Sequence, residues 1–102
     1  MTKTTLCEED DRLIMYFEGR LETPDAGKVK HEMKELYECH DKNIVLDLTD
    51  LKYVSSSGLR LFLALLQVGR KNGCKVTITG LSPYLHKVFD ETGFTRLFKL
   101  DA

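Results

Sequence analysis

The chain has no apolar run long enough to cross a membrane. The longest, Leu61 to Leu66, falls far short of the roughly 18 to 20 residues that a bilayer span needs. Its start, Met1-Thr2-Lys3-Thr4-Thr5, lacks the apolar core of a signal peptide, so a cytoplasmic protein without membrane insertion is expected. Cysteine is scarce and odd in number. Cys7, Cys39 and Cys74 share no metal-ligand spacing, so reduced, buried thiols are expected, with no disulfide framework and no metal. Repeats, low-complexity tracts and linkers are missing, and 102 residues, 42% of them hydrophobic, fit one compact domain over 1–102. Net charge is nearly missing too: −1 at pH 7 argues against an electrostatically driven, direct nucleic-acid binder. That total conceals an imbalance. Residues 1–50 hold seven Lys/Arg against thirteen Asp/Glu, whereas residues 51–102 hold eight against three.

What is present is an alternation of strands and helices. Thr4 to Cys7 and Arg12 to Glu18 read as the two strands of a hairpin around the acidic turn Glu8-Glu9-Asp10-Asp11. Thr23-Pro24-Asp25 supplies an N-cap, a proline at the first helical position and an acid in the first turn, which predicts a helix starting at Pro24. Ala26, Val29, Met33, Leu36, Tyr37 and His40 then form one buried face. The nearly continuous apolar run Asn43 to Leu48 predicts a central strand covered on both faces. A second helix is expected from about Gly58 to Asn72, stopped by Gly73. Its polar strip holds Arg60, Gln67 and Lys71, with Arg70 beside it and Leu63 between Arg70 and Gln67. Lys75 to Thr79 is the next strand, Ser82-Pro83 opens a third helix closed by Gly93, and Leu97 to Leu100 pairs or packs at the end. The order predicts an α/β fold: a mixed β-sheet with βαβ crossovers and helices packed on it.

Ser55-Ser56-Ser57-Gly58, immediately before a helix, is the one constellation suited to chemistry. Serine is a favoured N-cap, so one of the three is expected to cap. A helix N-terminus also favours an anion through its free N–H groups and dipole, so a phosphate on such a serine would be held there. Gly58, without a Cβ, would let another molecule approach closely.

Ile44-Val45-Leu46-Asp47-Leu48, Val54-Ser55-Ser56-Ser57-Gly58-Leu59-Arg60, Val76-Thr77-Ile78-Thr79-Gly80-Leu81 and Phe89 to Phe94 together resemble the STAS domain of bacterial anti-sigma-factor antagonists, over nearly the whole chain. Gly19-Arg20-Leu21-Glu22 is similar to the family's Gly-x-Leu-Asp turn. The resemblance implies a switchable binding module that is neither an enzyme nor a cofactor protein, and is a monomer or weak dimer. Unphosphorylated, it would bind a serine-kinase anti-sigma factor; phosphorylated on the serine before the motif's glycine, it would let go. By position that serine is Ser57, with Ser56 as the alternative acceptor. Glu22, Ser55, Ser56, Gly58, Arg60, Leu63 and Gln67 are the implied partner-binding residues. Two positions depart from the family pattern: Ser55 stands where Asp is frequent, and Glu22 where Asp is usual. The alternative within the fold is a constitutive STAS subunit of a membrane lipid-transport complex. A second alternative is a receiver-like phosphoacceptor using Asp47 or Asp50, which also needs an acidic pair after its first strand to hold magnesium, whereas the candidate cluster Glu8 to Asp11 sits in a hairpin turn.

Overall fold

In a computed structural model the chain is described over residues 1–96 and 99–101, with backbone alone at 95 and 99–101. The hairpin strands are β1 (Thr2–Glu9) and β2 (Arg12–Leu21), paired antiparallel through the acidic turn. A 3-10 turn at Thr23–Asp25 leads into α1 (Ala26–Glu32) and α2 (Lys34–Glu38). There follow β3 (Asn43–Val54), α3 (Ser56–Lys71), β4 (Lys75–Thr79), α4 (Pro83–Glu91), a 3-10 turn at Phe94–Arg96 and β5 (Lys99–Asp101). The five strands lie in the order β1-β2-β3-β4-β5, and every pair after the first is parallel. The expected mixed α/β sheet is therefore present. Of the terminal segment Leu97 to Leu100, Leu97 and Phe98 lie outside the described residues, and Lys99 and Leu100 pair with β4.

Successive parallel neighbours joined by right-handed crossovers wind in one direction, which puts all the connecting helices on one face of the sheet. The core lies beneath them. Leu13, Met15 and Phe17 of β2, Ile44, Leu46 and Leu48 of β3, and Val76 and Ile78 of β4 point into it, against Val29, Met33, Leu36, Phe62, Leu65, Leu85 and Phe89. This corrects the expectation that β3 is covered on both faces. Val45 and Asp47 are half-buried on an open face that forms a shallow groove of about 550 Å³ with Arg12, Ile14, Tyr16, Thr77 and Thr79. The apolar run at 44–48 reads as doubly covered because Val45 faces its own neighbours on that groove.

The expected single helix from Pro24 is three short pieces. Glu22 occupies the cap position, its N–H donating to Asp25 Oδ2 at 3.0 Å, and the helical path is interrupted at Met33 (φ −85°, ψ 2°). The helix stops at Glu38, so His40, which the spacing assigned to the buried face, is exposed. Tyr37 is half-buried and its hydroxyl donates to the Leu61 carbonyl at 2.9 Å, pinning α2 to α3. Burial pushes that phenol up to about 12, so it remains a neutral donor. Cys39 and Cys74 are buried free thiols 3.6 Å apart, whereas Cys7 is only half-buried, against expectation.

Candidate functional site at the start of α3

β3 outruns β4. Its last pairing with β4 is Asp47 with Thr79, yet it stays paired with β2 as far as Val54 opposite Leu21. The chain then turns into α3, and the turn is tied to β2: Ser55 N–H donates to the Leu21 carbonyl at 2.8 Å. Ser55 has the extended backbone of an N-cap (φ −81°, ψ 169°), and its Oγ accepts from Gly58 N–H at 3.2 Å. Its carbonyl accepts the first helical bond, from Leu59 N–H at 3.0 Å. The cap is therefore Ser55, and α3 begins at Ser56, two residues before the expected start. Ser55→Ala is expected to cost about 1 kcal/mol in urea unfolding, the usual value of an N-cap serine. Ser56→Ala and Ser57→Ala should each stay within about 0.5 kcal/mol, as substitutions that break no such feature do. Equal costs at all three positions would contradict this assignment.

With the cap filled, Ser56 and Ser57 stand in the first turn with hydroxyls that bond to no described residue. Ser56 is exposed and Ser57 half-buried. The first turn carries no acidic side chain, so nothing there offsets the positive end of a 16-residue helix. Gly58 plays a different part from the one expected of it. It is buried, and a Cβ there would lie 2.7 Å from both Leu21 Cδ2 and Val54 Cγ2. The missing side chain thus lets α3 settle against the ends of β2 and β3, and leaves no gap for another molecule. Ser55 likewise faces inward, 7% exposed, so neither it nor Gly58 presents a side chain outward.

The remaining sequence-selected residues face solvent. Arg60 and Gln67 are exposed and Leu63 is half-buried, on the side of α3 away from the fully buried Phe62 and Leu65. Glu22 lies at the same end of the sheet but is not joined to the serines. Its carboxylate accepts from Arg20 Nε at 3.3 Å, and Leu21 intervenes between it and Ser55. A receiver-like magnesium site is not assembled. The Glu8 to Asp11 turn lies where β3 begins, with Arg12 opposite Asn43, far along the strand from Asp50, while Asp47 accepts from Thr49 N–H at 3.0 Å. Lys42 Nζ donates to Glu8 at 2.6 Å, and that bond holds the Glu8 carboxyl below its ordinary range.

A family model described as the STAS domain matches residues 4–102. The chain belongs to the STAS domain family. Within that family the chain is 29% identical over 96 residues to the Bordetella bronchiseptica protein BtrV, which carries the name of an anti-sigma factor antagonist; the match covers 94% of this chain and 83% of that one. Among solved structures, a Thermotoga maritima protein named as an anti-sigma factor antagonist superposes with a TM-score of 0.87 at 20% identity, covering 97% of this chain and 86% of the other. The Bacillus cell fate determinant SpoIIAA in its phosphorylated form gives a TM-score of 0.75 at 16% identity, covering 98% and 92%. These likenesses fix the STAS fold.

One cluster escaped the sequence reading. Arg20, paired with Glu22, lies over Tyr53, and Tyr53 stacks with Tyr84; the three come from β2, β3 and α4. Their separation in sequence follows no motif, so only the register of β2 on β3, which sets Arg20 opposite Tyr53, brings the first two together.

Proposed function

We propose that this STAS domain is an anti-sigma-factor antagonist, controlled by phosphorylation of Ser57 by an anti-sigma factor that is itself a serine kinase. The observation that carries the reading is the division of labour among the serines. Ser55 is consumed by the cap, which leaves the Ser56 and Ser57 hydroxyls without a partner among the described residues at the positive end of α3, and of these Ser57 directly precedes Gly58. The names carried by BtrV and the Thermotoga maritima protein support the same reading. Ser56, Arg60, Leu63 and Gln67 supply the outward side chains of the docking strip. Ser55 and Gly58 set its shape from beneath, and Glu22 borders it.

The test is to incubate the chain with each purified anti-sigma-factor serine kinase of its source genome and ATP, then to take the intact mass and map the site. One phosphate on Ser57, absent from Ser57→Ala, is the expected result. A phosphate that survives Ser57→Ala at full yield, or none with any kinase, overturns the switch. Leu63→Asp should weaken binding of the unphosphorylated chain at least tenfold, about 1.4 kcal/mol, while the circular dichroism spectrum stays unchanged. Unaltered affinity would remove Leu63 from the strip.

A further inference from the structure

The end of the sheet that holds Ser57 carries a second, prearranged surface. The Arg20 guanidinium lies over the Tyr53 ring, 4.5 Å from its centre, and the Tyr53 and Tyr84 rings stack at 6.3 Å with 22° between their planes. Arg20 is also paired with Glu22 at 3.3 Å, so the stack, on the face of the sheet opposite to Leu21 and Val54, is linked at the end of β2 to the residue that borders the docking strip. Tyr84 is 46% exposed, and only one other aromatic ring among the described residues, Tyr16 on the open sheet face, is comparably exposed. Topology places Tyr84 correctly. It lies in the first turn of α4 as Ser57 lies in the first turn of α3, and both helices leave the carboxyl ends of adjacent parallel strands.

Area demands a surface beyond α3. The strip from Ser56 to Gln67 is about 17 Å long at 1.5 Å per residue and about 10 Å wide, on the order of 200 Å², whereas a specific complex covers about 800 Å² per partner. The docking face must therefore spread onto a neighbour. Towards α1 it would meet exposed Lys30, His31 and Lys34, and lysine is depleted at the centres of interfaces. Past Glu22, over the end of β2, it meets arginine and tyrosine, the residues enriched at binding hot spots, already stacked and so with little side-chain freedom to lose.

We infer that Tyr84, stacked on Tyr53, which Arg20 in turn covers, is a second anchor of the docking face and contacts the same anti-sigma factor that reaches Ser57. The inference rests on the function proposed above. Its test is calorimetric titration of the unphosphorylated full chain with the purified serine-kinase anti-sigma factors of the source genome. Tyr84→Ala should weaken binding at least tenfold. Lys87→Ala, on the same helix, and the double variant Lys30→Ala/Lys34→Ala should change it less than about threefold, a span that is small against the tenfold steps of binding. In the unaltered chain the amide resonances of Tyr53 and Tyr84 should shift on titration, a readout that does not depend on how the variant folds. Wild-type affinity in Tyr84→Ala, or unmoved resonances in a chain that does bind, overturns this anchor and leaves the proposed function standing. Failure of the unaltered chain to bind any of these kinases overturns both.

Discussion

Phosphorylation of Ser57 is expected to lower affinity for the anti-sigma factor by two orders of magnitude or more. A phosphoserine adds about −1.5 to −2 charges and three acceptor oxygens at neutral pH. A like charge about 4 Å away across a partly wet interface costs a few kcal/mol, and each ~1.4 kcal/mol is a factor of ten. The net charge before modification is −1, so one phosphate takes it to about −3. Calorimetry on the modified and unmodified chains measures the effect directly, with Ser57→Ala as a binder that cannot be switched. Equal affinities for the two forms would mean that Ser57 does not face the partner.

Phe62→Ala is expected to cost about 3–5 kcal/mol of folding stability, the usual loss when a buried aromatic ring is truncated. Phe62 is 0% exposed and meets the Phe17 ring edge-on, centres 5.4 Å apart, so α3 is fixed to β2 through this pair. Domains of this size have about 5–15 kcal/mol in hand and lose about 4–8 °C of Tm per kcal/mol, so the midpoint should fall by roughly 15–30 °C. Thermal unfolding is the measurement, and a change below about 1 kcal/mol would be out of line with a ring packed in a core. The comparison with Leu63→Asp is instructive because the two residues are adjacent in sequence. One variant should lose folding stability, the other binding alone.

Much of the fold is legible because the signals are local. Lys75 to Thr79 appears as a strand with the limits expected of it, and Ser82-Pro83 opens α4 as read, with Ser82 Oγ accepting from Leu85 N–H at 3.2 Å. The first helix is misjudged because nothing local marks its interruption. Glu32-Met33-Lys34 are all good helix formers, and Met33 is fully buried between Val29 and Leu36, as an unbroken helix would also leave it.

The site divides in the same way. Three serines of equal propensity cannot show which of them caps, because the choice depends on a carbonyl of another strand, that of Leu21. Gly58 is noticeable in the sequence, yet its reason lies in Leu21 and Val54, packed beneath it. Arg60, Leu63 and Gln67 are read correctly as outward-facing, because helical spacing alone sets their direction.

The tie between Ser55 and Leu21 determines what kind of switch this can be. The first turn of α3 is held through the backbone to β2 at 2.8 Å, through the Ser55 cap, and through the close seat of Gly58. A new phosphate at Ser57 therefore meets a turn with no slack to take up. The two chemical states should share one backbone and differ only in the electric field they present. On the function proposed above, such a device would transmit nothing inward and would need no refolding to reset. Its tempo would then be set by the kinase and by whatever removes the phosphate, not by the domain.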